Sequence, residues 1–183
     1  MDPRERINQE LLVLRCQEGD AEAFEKLVGQ WQERLWRHAW RLTGEENAAW
    51  DALQEAWIAI AKGIRRLDEP AMFPAWAYQI VSHKCRDWIR REQRGRAVAQ
   101  TYAALSQADD EQAALTQEQY ADLKEAMDLL NGPDRAILIL RYEEGFDTAQ
   151  AAAILGVPEG TVKSRLFYAR QRLRSFLEDS HHD

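Results

Sequence analysis

The chain has 183 residues, a net charge of −7 and a hydrophobic content of 45%. Ala and Leu supply 46 residues whereas Val, Ile and Thr supply only 20, which favours a helical protein over a sheet protein. This composition excludes wholesale disorder, and the negative charge excludes a protein that binds nucleic acid non-specifically along its whole surface.

Membrane, disulfide and metal chemistry find little support in the sequence. The longest run free of Lys, Arg, Asp and Glu is residues 70–83, which contains two prolines and is too short to cross a membrane. Cys16 and Cys85 are the only cysteines, and they form neither a CxxC pair nor a zinc spacing with His38 or His83. We therefore expect no disulfide framework, no metal or cofactor and no membrane insertion. Since the N-terminus shows no signal peptide, we expect a cytoplasmic location.

Apolar residues recur at intervals of three and four along the first half of the chain. This spacing predicts four helices bounded by capping or breaking residues: a short one around 11–15, one from Asp20 to Gly44, one from 49 to 67, and one from Pro74 towards Gly95. Three of the tryptophans lie on the apolar stripes and are predicted to be core residues: Trp31, Trp57 and Trp76. The pattern leaves the positions of three others open: Trp36, Trp40 and Trp50.

The fourth predicted helix has two different faces. Four residues form an apolar stripe: Ala77, Val81, Cys85 and Trp88. The opposite stripe is polar and basic: Gln79, His83, Arg86, Arg90 and Arg94. A row of cations can follow a phosphate backbone, although cations also favour the C-terminal end of any helix.

The middle of the chain changes character at residue 97. Residues 97–120 hold four acids and no base and lack a sustained apolar stripe, so we interpret them as a linker. Apolar spacing resumes at Leu123, Met127 and Leu130 and continues beyond an interruption at 131–133. Ile137 to Leu140 has the composition of a buried strand, but its neighbours are helical and we predict a helix. The sequence thus predicts an all-α fold of two small helical domains, 1–96 and 121–183, joined by the linker 97–120.

The strongest motif lies at 148–174. Thr148 to Leu155 is predicted as a short helix, with Asp147 as N-cap and Gln150 in the reciprocal position of a capping box. Gly156-Val157-Pro158 forms a turn before a second helix, which predicts a helix-turn-helix. The second helix has an inward stripe: Val162, Leu166, Ala169 and Leu173. Pointing away are Ser164, Phe167, Tyr168 and Gln171, flanked by Lys163, Arg165, Arg170, Arg172 and Arg174. Such a face suits contacts in a major groove, and a helical hairpin with a solvated basic face is the alternative.

Motifs in both halves of the chain resemble the same protein family. Residues 160–166 (GTVKSRL), followed by Ala169-Arg170 and Leu173, resemble region 4 of bacterial sigma factors, especially the small extracytoplasmic-function (ECF) group of the sigma-70 family. Residues 51–57 (DALQEAW) are similar to region 2.2, and residues 73–91 to regions 2.3 and 2.4. The motifs follow each other in the family's order and separation, and the resemblance covers nearly the whole chain.

The resemblance implies an RNA polymerase sigma factor. Such a protein recruits core polymerase to promoters, binds DNA sequence-specifically and helps to melt the duplex, with no catalytic chemistry of its own. The implied partners are core RNA polymerase (beta-prime clamp helices and beta subunit), promoter DNA and an anti-sigma factor. The implied core-binding residues form a polar edge: Asp51, Gln54 and Glu55. Those for the minus-ten element are Gln79, His83, Arg86, Arg90, Arg91 and Arg94. Those for the minus-thirty-five element are Lys163, Ser164, Arg165, Phe167, Tyr168, Gln171 and Arg172.

A second interpretation stays open at the level of sequence. A stand-alone transcriptional regulator with a terminal helix-turn-helix would bind duplex DNA unaided, whereas a sigma-like subunit with a net charge of −7 would need polymerase for tight binding. An enzyme or metal protein that uses His38, His83 and the two cysteines is the least favoured class. The chain also departs from the usual family pattern at His83, where members carry Asn, and at Gln150-Ala151, where they carry Glu-Ile.

Overall fold

A computed structural model describes residues 3–99, 127 and 130–180 of the chain. Its helices are α1 (Pro3–Gln17), α2 (Ala21–Thr43), α3 (Glu46–Gly63), α4 (Phe73–Ala99), α5 (Gly132–Tyr142), α6 (Thr148–Leu155) and α7 (Glu159–Ser180). Short 3-10 turns at Ile64–Arg66 and Pro70–Met72 connect α3 to α4. The described residues contain no strand, so the all-α prediction is confirmed. Two compact units arise, one mainly from residues up to Val98 and one mainly from the residues after it.

The boundaries of α2 follow the predicted caps. Asp20 is the N-cap, and its side chain accepts a hydrogen bond from the backbone N–H of Ala23 at 3.0 Å. Gly44 ends the helix with a φ of 70°, a left-handed conformation that glycine adopts without a steric penalty. Both predicted ends of this helix are therefore confirmed.

Other helices are longer than predicted. α1 covers 15 residues rather than a short segment, and α7 continues past Arg174 to Ser180. α4 passes Gly95 and ends at Ala99, three residues inside the segment assigned to the linker. Helix propensity explains these differences, because no proline follows and a single interior glycine costs only about 1 kcal/mol.

Aromatic contacts hold α4 against α2 in the N-terminal unit. Trp31 is buried, and its ring meets Phe73 at 5.6 Å and Tyr78 at 6.3 Å between centroids, both edge to face. Trp57 and Trp76 are half-buried; Trp57 packs edge-on against Phe24 at 5.9 Å. The predicted apolar stripe of α4 is buried through Ala77, Val81 and Cys85, and only Trp88 is half-buried.

A buried polar link joins the same two helices through residues that are 44 positions apart in the chain. His38 of α2 and Ser82 of α4 are each 1% exposed, and His38 Nε2 lies 2.8 Å from Ser82 Oγ. The imidazole also meets the Tyr78 ring edge-on at 4.9 Å. Burial, followed by the nearby positive charge of Arg41, lowers the pKa of His38 to about 3, so the ring is neutral at neutral pH.

In the C-terminal unit, α5 begins where an interruption was predicted. Asn131 is the N-cap and accepts a hydrogen bond from the backbone N–H of Asp134 at 2.9 Å, with Pro133 in the first turn. Ile137, Leu138, Ile139 and Leu140 are all buried within this helix. The helical interpretation of this segment is therefore confirmed, and the strand alternative is excluded.

The buried imidazole predicts an acid-sensitive N-terminal unit. The folded-state pKa of His38 lies below the ordinary value of 6.5, so the unfolded state binds the additional proton. Above pH 6.5 the neutral His38 ring leaves the free energy of unfolding at its full value. As the pH falls from 6.5 towards 3, that free energy decreases by up to about 1.4 kcal/mol per pH unit. We expect His38→Gln to reduce this slope when unfolding in urea is measured at several pH values. Tryptophan fluorescence follows the unfolding of this unit, because all seven tryptophans precede residue 89.

The matched control for this measurement is His83→Gln, which removes an exposed histidine. That substitution should leave the pH slope of the wild type almost unchanged. An equal slope for wild type and His38→Gln would contradict the assignment of the acid sensitivity to His38.

Candidate nucleic-acid interfaces

The helix-turn-helix is built as predicted from its caps and turn. The Asp147 carboxylate accepts from the backbone N–H of Gln150 at 2.7 Å, and the Gln150 amide oxygen accepts from the N–H of Asp147 at 3.0 Å. These reciprocal bonds form the capping box that starts α6. Gly156 turns the chain with a φ of 60°, and α7 begins three residues later, at Glu159. The motif thus fixes the start of α7, the second helix of the pair.

Opposite faces of α7 have different environments. Val162, Leu166 and Ala169 are buried and Leu173 is half-buried, so the predicted inward stripe is confirmed. The outward residues are exposed: Ser164, Phe167, Tyr168 and Gln171. Phe167 is 53% exposed and Tyr168 60% exposed, and their rings contact each other edge to face at 5.5 Å. Two large aromatic side chains on the solvent side of a helix are available for a partner.

Acidic residues hold two cations of α7. Glu159 Oε1 lies 2.9 Å from Lys163 Nζ and accepts a hydrogen bond from the Thr148 hydroxyl of α6 at 2.8 Å. These two contacts, Lys163 first, lower the pKa of the Glu159 carboxyl. Arg165 is half-buried and its Nε lies 3.9 Å from Asp134 of α5, whereas Arg172 is exposed. The predicted cations therefore differ in how freely they can reach a partner.

An acidic residue, Asp87, contacts the predicted basic row of α4. Gln79, His83 and Arg90 are exposed, and Arg86 is half-buried with its Nε donating to the Ser82 carbonyl at 3.2 Å. Asp87 lies 3.2 Å from His83 Nε2 and 4.0 Å from Arg90 Nη1. The spacing of four and three residues along the helix was a local signal for both contacts. The side chain of Arg94 lies outside the described residues.

The predicted acidic edge of α3 is divided by the fold. Asp51 and Gln54 are exposed, but Glu55 is half-buried and already paired with α4. Its Oε2 lies 3.2 Å from Lys84 Nζ and its Oε1 3.2 Å from Arg91 Nη2. These contacts, with Lys84 the larger cause, lower the pKa of the Glu55 carboxyl. Two cations of α4 therefore already contact the Glu55 carboxylate in the free chain.

The three tryptophans that the sequence left open form one cluster. Trp36 stacks on Trp40 with ring centroids 6.4 Å apart and an interplanar angle of 18°, and it meets Trp50 of α3 at 5.5 Å. Trp50 is 39% exposed, so the cluster reaches the surface.

The described part of the chain contains neither a candidate metal site nor a candidate membrane span. No group of three His, Cys, Asp or Glu side chains is arranged there to hold a metal ion. None of the described helices combines the length and apolar character of a membrane span. Cys16 and Cys85 are both buried, and burial raises the pKa of the Cys85 thiol to about 12.

Comparison with known proteins matches both halves of the chain. The family model for Sigma-70 region 2 matches residues 27–95, and that for Sigma-70 region 4 matches residues 120–173. The chain is 34% identical over 175 residues to the ECF RNA polymerase sigma factor SigM of Mycobacterium tuberculosis, covering 94% of this chain and 86% of SigM. This chain belongs to the ECF group of the sigma-70 family.

Two further comparisons describe the extent of the likeness. ECF sigma factor SigE of Mycolicibacterium smegmatis is 33% identical over 159 residues, 85% of this chain, and the chain spans 62% of the length of SigE. The sigma factor RpoE from Bartonella quintana, solved in complex with the anti-sigma factor NepR, is similar in fold with a TM-score of 0.62 and 24% identity. That alignment covers 86% of this chain and 98% of RpoE.

The candidate surfaces lie within the matched regions. The region 2 match contains the α3 edge and the basic row of α4 as far as Arg94, and the region 4 match contains the exposed face of α7. A stand-alone helix-turn-helix regulator is not favoured, because such a protein has no need of a sigma region 2.

Proposed function

We propose that this sigma factor recruits core RNA polymerase to promoters with two DNA-reading elements and helps to open the duplex between them. The observation that carries the proposal is the presence of both sigma regions in one chain, each with an exposed face suited to nucleic acid. Residues 1–96 bind core polymerase and the minus-ten element, residues 121–183 bind the minus-thirty-five element, and residues 97–120 link them. The action is binding rather than covalent chemistry, and it takes place in the cytoplasm.

The exposed face of α7 is proposed to read the minus-thirty-five element. An α-helix fits the major groove, where hydroxyl and amide groups bond to base edges and aromatic rings contact thymine methyl groups. These groups are supplied by Ser164, Gln171, Phe167 and Tyr168. Phosphates or bases are contacted by the flanking cations: Lys163, Arg165 and Arg172. Lys163 has to break its ion pair with Glu159 before it binds DNA, so the free energy of that ion pair reduces what Lys163 contributes to DNA binding.

The basic row of α4 is proposed to hold the minus-ten element during melting. Gln79, His83, Arg86 and Arg90 lie on the face opposite the buried stripe, and Arg91 and Arg94 extend the same helix. Opening a duplex leaves a single strand that needs cations for its phosphates and surfaces for its bases. Because Asp87 is shared by His83 and Arg90, the row is partly neutralised until a strand binds.

The α3 edge is proposed to dock on the beta-prime clamp helices of core polymerase, with the beta subunit and an anti-sigma factor as further partners. Asp51 and Gln54 are the exposed members of this edge. Charged groups at the rim of an interface act mainly on recognition and association rate. Glu55 joins them one turn along the helix from Asp51, although its carboxylate is paired in the free chain.

Transcription with purified core polymerase on a promoter library tests the proposed function. The wild-type chain should produce promoter-specific transcripts that core polymerase alone does not. Asp51→Lys should reduce both transcripts and co-purification with core, with unchanged helical circular dichroism, because Asp51 is exposed. Glu25→Lys, the same reversal on exposed α2 surface, is the control. Absence of wild-type transcripts from every promoter would overturn the proposal.

The minus-thirty-five assignment predicts that Tyr168→Ala weakens promoter discrimination. The holoenzyme should lose on the order of 1–3 kcal/mol in the preference for a matching over a scrambled element, the range of one base contact. Competition binding with the two duplexes measures this preference. Tyr142→Ala is the matched control, because Tyr142 is also 60% exposed and lies on α5. Equal discrimination by both variants would contradict the assignment of α7 as the reading helix.

The minus-ten assignment predicts that Arg86→Ala with Arg90→Ala impairs opening. Loss of two single-strand phosphate contacts should reduce the salt slope of open-complex formation by about 1.4. Permanganate footprinting on duplex promoter DNA should show less opening, and a pre-melted bubble should restore it if the row acts in nucleation. Arg6→Ala with Arg37→Ala, which removes two exposed arginines from α1 and α2, should open DNA normally. Normal opening by the Arg86/Arg90 variant would refute the role.

A further inference from the structure

The Glu55 carboxylate connects two surfaces to which different partners are assigned. It belongs to the α3 edge, one turn from exposed Asp51, and it reaches across to α4. Each of its oxygens contacts a different cation, Oε1 with Arg91 and Oε2 with Lys84, both at 3.2 Å. One carboxylate thus contacts two positive charges that are separated by seven residues on α4, and it balances one of them.

Lys84 and Arg91 lie on one flank of α4, beside the basic row. Seven residues correspond to about two helical turns, so the two cations point the same way and stand about 10 Å apart along the axis. Their side chains are 27% and 57% exposed and that of Glu55 is 41% exposed, so water reaches all three groups. Partly exposed ion pairs of this kind are weak, and a competing charge can separate them without unfolding the helices.

We infer that Glu55 is a positioning residue that couples core docking to DNA binding by releasing Lys84 and Arg91. This inference rests on the proposed function. In the free chain Glu55 holds both cations, and basic groups of a partner that docks on the α3 edge compete for its carboxylate. Lys84 and Arg91 then become available to the phosphates of a single strand on α4. The coupling is reciprocal, since a strand that binds these cations frees Glu55 for the docking partner.

The first test measures binding of the free full-length chain to a fluorescein-labelled single-stranded DNA oligonucleotide of mixed sequence. Glu55→Gln keeps the shape of the side chain and removes its charge. We expect about fivefold tighter binding at low salt, the effect of releasing two weak ion pairs, and a salt slope steeper by about 0.7, the value for the one positive charge that Glu55 balances.

Glu33→Gln is the matched control for loss of charge and loss of an ion pair. Glu33 is exposed on α2, and its carboxylate lies 3.8 Å from Arg37 of the same helix. This variant should change the salt slope little. Equal effects of Glu55→Gln and Glu33→Gln on DNA affinity and slope would overturn the inference, because a general change of charge would then explain both.

The second test removes the cations instead of the acid, and it stays informative if Glu55→Gln folds poorly. Lys84→Ala with Arg91→Ala should weaken DNA binding by the free chain less than binding by the holoenzyme, since Glu55 balances one of the two positive charges only in the free chain. In the holoenzyme on a pre-melted bubble template, the same variant should reduce the salt slope by about 1.4. A loss of equal size in the free chain and in the holoenzyme would overturn the inference.

Failure of the inference and failure of the proposed function are distinguishable. If the wild-type chain directs no transcription with core polymerase, the proposed function fails. If transcription is normal but the effect of Lys84→Ala with Arg91→Ala does not depend on core polymerase, only the role of Glu55 fails.

Discussion

Everything that α4 offers to a partner depends on the anchoring of its opposite side in the core. Phe73 and Tyr78 enclose the Trp31 ring, and Ala77, Val81 and Cys85 continue the buried stripe along the next turns. When one face of an amphipathic helix is fixed in the core, the direction of the opposite face is fixed as well. The His38–Ser82 contact makes this packing specific, because the buried donor and acceptor meet in only one register of α2 against α4. The polar row therefore faces outward as a consequence of core packing.

Local patterns in the sequence predicted local structure well. The cap at Asp20, the left-handed Gly44, the capping box of Asp147 and Gln150 and both faces of α7 depend on residues within one or two turns, and each was found where expected. The family motifs then supplied the function, which residue chemistry alone left open between a sigma factor and a stand-alone regulator.

Contacts between residues distant in the chain could not be predicted in the same way. Glu55 is separated from Lys84 by 29 residues and from Arg91 by 36, and the stripe pattern alone left its side chain apparently free at the α3 edge. His38 follows Leu35 by three residues and so lies on the buried stripe of α2, but its partner Ser82 is 44 residues away and could not be read from that spacing. Asp87 is different, since its distances of four and three residues from His83 and Arg90 were visible in the sequence.

Burial of both cysteines has a practical consequence for studying the second domain. Thiol reagents attack the thiolate, and burial is the main cause that raises the pKa of Cys16 and of Cys85. The chain holds no other cysteine, so its folded form offers labels almost no background reaction. A single Ser175→Cys replacement, at an exposed position of α7 outside the residues proposed to contact DNA, would then carry a fluorophore or spin label at one defined point. Distances from that point to labelled DNA would follow the movement of α7 during promoter capture without any change to the native thiols.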